Sequence, residues 1–384
     1  MKQVLMIIKS GSFAKTSASC HHPEIVAIRN LIEYSKEEYR FVLVGTTDEH
    51  PQTIIQSKDV ITHDLRFGSG SFNFLRYILN LTLLLLRHRP RIVMILGYQI
   101  FPVWFYCKLS RHAQFVSIII GEFNYHGYSK LGKMFWSLFW KLNWFSLKFS
   151  KSKLIAAYTL SRYTQQAIVR NVPVVQVQLL SYPISSVFKR RTEKPTGQKP
   201  VLLVNAGIEP RKGLDVLIKA LPLLHRQVEV VVKGAIRDSR YMHELESLVH
   251  RLKLDNVVIF ETSFYEDEKL ASLYNKAAVF IFPTLEDCLG VAVLEALHCG
   301  LPVIGTNNSG VADMIVDRQN GLLVPPRSYS RLAAAINELL EDVTLQQFLA
   351  ANTLKVLQKH YYDNRILLEQ AMKRSIRRVS KRLQ

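Results

Sequence analysis

Two acids, Asp287 and Glu295, stand with seven residues between them in the stretch Pro283–Gly310. The run Val279–Phe282 before them is short, apolar and β-favouring. Gly290 allows a tight turn. From Val291 onward, Leu294, Ala296 and Leu297 give a helical apolar stripe. Gly300 holds the place of a helix C′ glycine, Pro302 blocks continuation, and Val303–Gly305 starts a new strand. The pattern predicts strand, loop, helix and strand, the unit of a parallel α/β sheet. Its loop falls at the C-terminal end of a strand, where open α/β sheets bind ligands. Asp287 on the loop and Glu295 in the second helical turn can clasp hydroxyl groups on either side of an anion held by the helix N-terminus. The competing reading is two solvated carboxylates at a helix start.

A second loop, Gly207–Gly213, follows the apolar run Val201–Val204 and precedes a helical stretch, Leu214–Leu224. It lacks the Walker spacing. Arg211 and Lys212 lie at a strand end next to a helix start, where they would neutralise a diphosphate. Lys233 ends the strand Val228–Val232, just before Gly234.

The segment Leu285–Val303, with its two spaced acids, the glycine after the first, L-E-A and C-G-x-P-V, resembles the signature of retaining GT-B glycosyltransferases of family 4. Arg211-Lys212-Gly213, the turn Asn308–Asp313 and the strand Asn320–Pro325 resemble other family segments. The first acid of the signature is usually Glu and here is Asp287, with Glu286 before it. The resemblance covers Pro200–Tyr361 closely and the first half by plan. It implies a GT-B fold, α/β, with two Rossmann-like doubly wound domains facing across a cleft. It also implies retaining, metal-independent hexosyl transfer from a nucleotide-sugar, which is a substrate and not a cofactor, to a glycan or lipid-linked hydroxyl. Catalysis would rest on Asp287, Glu295 and Lys212, with Asp287 touching the donor sugar and Glu295 the ribose. Donor contacts would also come from Glu286, Leu289, Gly290, Val291, Ser263 and Phe264. The family's further arginine has no counterpart, since Ala206 or Ile208 stands at its place; Arg211 or Lys233 would substitute. On the acceptor side the candidates are Gly11 in the first loop, with Glu122 or His126 after the strand Phe115–Ile120.

The 384 residues suffice for two domains. The expected boundaries are 1–183, a linker over 184–199, a donor domain over 200–360, and a basic exposed or frayed C-terminal helix over 361–384. A formal net charge of +19 fits an anionic membrane, a polyanionic substrate or nucleic acid; no nucleic-acid recognition motif is present, so nucleic acid is not expected. The cysteines, Cys20, Cys107, Cys288 and Cys299, include no C-x-x-C pair, so neither zinc nor a disulfide framework is indicated and reduced cytosol is the simplest setting. No leader is expected, because the polar run Lys9–Lys15 follows Ile8 at once. No apolar tract suits a bilayer span. Tyr128–Ala156 has no acid, and Trp136, Trp140 and Trp144 recur every four residues beside Lys133, Lys141 and Lys148. This reads as a helix lying in a membrane interface with its tryptophans outward, placing the protein at the inner face of the membrane as a peripheral protein. Packing of those tryptophans on the N-terminal sheet is the alternative. A non-catalytic membrane-associated GT-B protein and a GT-B nucleotide-sugar epimerase are the alternative functions.

Overall fold

A computed structural model describes residues 2–8, 39–45, 60–64, 71–96, 100–119, 130–150, 152–190, 199–363 and 365–382. The chain divides into two compact units, Met1–Pro183 with Arg365–Gln384, and Ile184–Asn364.

Unit 1 begins with three parallel strands, β1 (Lys2–Ile8), β2 (Tyr39–Gly45) and β3 (Val60–Asp64). Helix α1 (Ser71–His88) leads to β4 (Ile92–Leu96), α2 (Ile100–Leu109) to β5 (Gln114–Ile119), and α3 (Lys130–Lys148) to β6 (Leu154–Thr159). Helix α4 (Arg162–Asn171), capped by the Ser161 hydroxyl accepting from the Thr164 N–H, leads to β7 (Val177–Ser181). Strand β1 pairs in parallel with both β2 and β4, so that Val4 lies beside Phe41 on one side and Ile92 on the other.

The inner faces of α1, α2 and α3 share one core with the sheet. Leu81 and Leu85, Ile100 and Val103, and Trp140, Trp144 and Leu147 pack with Val93, Ile95 and Phe115. Trp140 and Trp144 are only 4% and 8% exposed and stack at 5.1 Å. The expected outward tryptophan stripe is therefore overturned for these two residues; the side chain of Trp136 lies outside the described ones. Helix α3 is apolar on both sides, and its bulkier rings fill the space over the sheet. Asn143, fully buried beside them, accepts from the N–H groups of Ile100 and Phe101 at 2.9 and 3.0 Å and so satisfies the start of α2.

Unit 2 holds β8 (Val201–Asn205), α5 (Leu214–Ala220), β9 (Glu229–Lys233), α6 (Ser239–Arg251), β10 (Val258–Glu261), α7 (Asp267–Lys276), β11 (Val279–Phe282), α8 (Val291–His298), β12 (Val303–Thr306), β13 (Gly321–Val324), α9 (Tyr329–Glu341) and α10 (Val343–Leu357). Pro222 shortens the helix expected to reach Leu224: α5 stops at Ala220 and a 3-10 turn takes over. All pairings are parallel, in the order β10-β9-β8-β11-β12-β13.

The chain then returns to unit 1 through β14 (Ile366–Leu367), which pairs with β7, and α11 (Leu368–Arg382). The unit 1 sheet order is β14-β7-β6-β5-β4-β1-β2-β3. Helix α11 is not a frayed end. Leu368, Ala371, Met372 and Ile376 form a buried stripe at helical spacing. The Tyr158 hydroxyl reaches the Ala371 carbonyl at 3.3 Å and the Ser375 hydroxyl at 3.1 Å.

Candidate active site

In unit 2 the strand order reverses around β8. Strands β9 and β10 lie to one side, β11 and β12 to the other. The loops that follow β8 and β11 thus leave neighbouring strands at the topological switch point, where a doubly wound sheet opens a crevice for ligands.

Three loops are locked together there. The Arg211 carbonyl accepts from the Leu285 N–H at 2.8 Å and the Thr284 hydroxyl at 3.1 Å. Gly213, at φ +64°, sits where a Cβ would lie 2.2 Å from the Pro283 carbonyl oxygen, so this approach requires glycine. On the far side the Gly310 N–H donates to the Asp287 carbonyl at 2.9 Å, and the Asn308 amide to the Leu285 carbonyl at 2.7 Å. Gly290, at φ +77°, closes the turn before α8.

This frame converges four charges. Lys212, only 8% exposed, makes a short ion pair with Asp287 Oδ2. Arg211 lies 3.7 Å from the same oxygen and 2.7 Å from Glu209 Oε1. Burial pushes the Asp287 carboxyl up, but the Lys212 and Arg211 charges outweigh it and hold its pKa below the ordinary value. The Leu289 N–H also donates to Asp287 Oδ1 at 3.3 Å. Burial opposes the charge of Arg211 as well, and Asp287 and Glu209 more than offset it, raising its pKa. Glu286 is buried, and its carbonyl accepts from the Thr284 hydroxyl at 2.9 Å and from Arg211 at 3.4 Å. Val291, half-buried, begins α8 directly after Gly290.

Glu295 belongs to a separate network. Its Oε2 accepts from the Tyr274 hydroxyl at 2.7 Å, and that hydroxyl accepts from the Asn205 amide at 2.9 Å. Burial drives the Glu295 pKa up to about 7, with the negative charge of Asp267 adding to it and the Tyr274 hydrogen bond opposing it. Tyr274 is fully buried. Sequence reasoning missed Tyr274, Asn205 and Glu209. Tyr274 is one tyrosine in an ordinary amphipathic helix, and Asn205 is a strand-end residue 69 positions away in sequence; neither has a local signal. Glu209 was visible as an acid two residues before Arg211.

Lys233 is placed elsewhere. Its ammonium donates to the carbonyls of Glu261, at 3.3 Å, and of Ser263, and it lies 4.6 Å from the centroid of the Tyr265 ring. It holds the end of β10, whereas Arg211 and Lys212 meet at Asp287. Ser263 caps the Glu261 carboxylate through its N–H at 3.0 Å and its hydroxyl, and Phe264 is half-exposed. Gly11, Glu122 and His126 lie outside the described residues. Among the described residues no group of three or more His, Cys, Asp or Glu is arranged to hold a metal ion.

Residues 186–356 match the family model for glycosyl transferases group 1. The match lies within unit 2 and spans less than half of the chain. The match contains all four converging charges and the Glu295 network. A GDP-mannose-dependent alpha-(1-6)-phosphatidylinositol monomannoside mannosyltransferase of Mycobacterium tuberculosis is 32% identical over 153 residues, covering 38% of this chain and 40% of that protein. The chain spans about half or less of the length of the curated relatives it matches. Outside residues 186–356 the likeness is one of fold. Sucrose-phosphate synthase from Thermosynechococcus elongatus matches with a TM-score of 0.76 at 18% identity, covering 100% of this chain and 99% of that one. Alr3699/HepE of Anabaena, in complex with UDP and glucose, matches with a TM-score of 0.73 at 16% identity over the full length of both chains. The fold is GT-B, with two Rossmann-like domains.

Proposed function

We propose that the protein is a retaining glycosyltransferase. It moves a sugar from a nucleotide-sugar to a hydroxyl of a lipid-linked or cell-surface glycan acceptor, without a metal ion. The observation that carries this reading is the meeting of Arg211 and Lys212 at Asp287, at the switch point of unit 2. As the bond from the anomeric carbon to the diphosphate breaks, negative charge grows on the leaving oxygen. Two cations, Lys212 buried and Arg211 half-buried, beside a helix N-terminus stabilise that charge most when it is fully developed. Asp287, released from Lys212 as the diphosphate takes the ammonium, is free to accept from a sugar hydroxyl. Glu295, held in place by Tyr274, accepts from the ribose. No residue is assigned as a covalent nucleophile.

The name of the mycobacterial relative supports a nucleotide-sugar donor and a lipid-borne acceptor. A peripheral position on the cytoplasmic face of a membrane fits that acceptor. It also fits the finding that no helix among the described residues is long and apolar enough to cross a bilayer. The test is incubation with nucleotide-sugars of different bases and a lipid-linked acceptor, reading free nucleotide diphosphate, the anomeric configuration of the product by NMR, and any epimerised donor. Free nucleotide diphosphate and a product with the donor's configuration are expected. Epimer without transfer would replace the reading by an epimerase, and failure to bind any nucleotide diphosphate would leave a non-catalytic protein.

A further inference from the structure

The helices α1, α2 and α3 turn their inner faces to the unit 1 sheet, so their outer faces look away from it together. Those outer faces are apolar. On α1, Leu79, Leu83 and Leu86 recur at helical spacing and are half or more exposed. On α2, Leu109 is 67% exposed. On α3, Leu138 is 58% exposed and Phe145 about half, as is Phe149 directly after the helix. The α2 and α3 surfaces are joined: the Trp104 ring meets the edge of Phe145 at 5.9 Å, and Phe145 meets Phe149 at 4.6 Å. Apolar side chains on three neighbouring helices exceed the scattered surface leucines that a soluble protein carries without consequence.

The charges on the same helices have one sign. From Ser71 to Lys153 the only acid in the sequence is Glu122. Exposed Lys108 lies over the Trp104 ring and exposed Lys148 over Phe149, each at 5.9 Å from the ring centroid, and Lys141 is exposed between Leu138 and Phe145. Ammonium groups beside aromatic and aliphatic side chains suit a boundary with phosphate on one side and hydrocarbon on the other. Nucleic acid offers the phosphates but nothing to cover Leu83 or Leu138. A second copy of this chain offers the same lysines and repels them. No helix among the described residues is long and apolar enough to cross a bilayer, so contact would be in the membrane plane.

We propose that the outer faces of α1, α2 and α3 dock unit 1 on an anionic lipid bilayer, with Phe145, Phe149 and Leu138 at the acyl boundary and Lys108, Lys141 and Lys148 at the headgroups. The proposal deepens the reading of a lipid-linked acceptor and rests on it for its purpose. Its evidence lies wholly in unit 1. It replaces an anchor of outward tryptophans with one in which Trp140 and Trp144 are core.

The test is co-sedimentation of the full chain with vesicles of phosphatidylglycerol and, separately, of phosphatidylcholine. Nucleotide diphosphate affinity is measured alongside, so that loss of docking and loss of the donor reading are told apart. Binding is expected to phosphatidylglycerol, weakly to phosphatidylcholine, and to fall in high salt. Replacing Lys108, Lys141 and Lys148 together by Gln should weaken partition roughly a hundredfold. Phe145→Ser with Phe149→Ser should also release the protein. Both sets should keep the thermal midpoint and the nucleotide diphosphate affinity. The proposal is overturned if neither vesicle binds, if binding ignores both sets of changes, or if the Phe pair instead abolishes self-association of the chain.

Discussion

Unit 1 and the site of unit 2 are both rich in cations, yet they spend them differently. In unit 2 cations meet carboxylates: Arg211 faces Glu209 and Asp287, and Lys212 faces Asp287. Each charge has a partner, within a frame held by close-approaching glycines and hydrogen bonds to carbonyls. On the outer helices of unit 1 the sequence supplies Lys108, Lys141 and Lys148 and almost no acid nearby. Charges that are paired and buried select a small anion by geometry. Charges that are exposed and unanswered form a field, which reads only sign and density.

The sharpest break of this comparison lies within α3. Trp140→Ala or Trp144→Ala removes a core ring and should destabilise unit 1 by about 3–5 kcal/mol in urea unfolding. Phe145→Ala, one residue along on the outer face, should stay within about 0.5 kcal/mol. Equal costs for the two faces would mean that the outer face is also packed.

Next in size is Lys212→Ala. Losing a charge-assisted contact should weaken nucleotide diphosphate binding by roughly 1.5–3 kcal/mol, read by calorimetry. Neutralising Lys141 in unit 1 should leave that affinity alone. The same variant has a stability signature. The folded pKa of Asp287 is lowered, so its ion pairs stabilise above the unfolded value and are lost as pH falls through the folded one. With Lys212 gone, the folded pKa of Asp287 rises, so the share of the acid-side fall in thermal midpoint due to this group should be smaller than in the parent chain.

Glu295 behaves in the opposite sense. Its pKa is raised to about 7, so the folded chain keeps a proton that the unfolded chain has released. The stability from this group is full below its unfolded value and is lost as pH rises through about 7. Ribose hydroxyls donating to an ionised Glu295 should make nucleotide diphosphate binding tighten across that range with release of a proton. Calorimetry in buffers of different ionisation enthalpy reads it, and Glu295→Gln should flatten it. The smallest effect is Tyr274→Phe. Loss of one hydrogen bond should cost about 0.5–1.5 kcal/mol of stability and move the pH midpoint of binding further up, since Tyr274 lowers the Glu295 pKa.

The site was legible where local chemistry dictated it. Gly290 and Gly213 both take positive φ, and Gly300 does so past the end of α8; each is marked in the sequence by its place next to a strand end or helix end. Asp287 and Glu295 were visible as a spaced pair, but not that Asp287 would be held by Lys212 while Glu295 was held by Tyr274. Those partners are 75 and 21 residues away and leave no periodic trace. The sidedness of α3 was illegible for another reason. Trp140, Trp144 and Leu147 form one apolar stripe, and Leu138, Phe145 and Phe149 form another; spacing alone cannot say which one meets a sheet. The C-terminal helix misled by composition: its arginines advertise solvent, while Leu368, Met372 and Ile376 keep a buried stripe.

The path of the backbone has an engineering consequence. The chain leaves unit 1 after Pro183 and re-enters it at Arg365, whose guanidinium donates to the carbonyls of Leu160 and Leu180 at 2.6 and 3.1 Å. Unit 2 is thus an uninterrupted segment, while unit 1 is assembled from two segments that flank it. A chimera that exchanges unit 1 must therefore be joined at two seams, carrying β14 and α11 with residues 1–183. A single-junction graft would leave the edge of β7 bare and strip Tyr158 of its partners on α11.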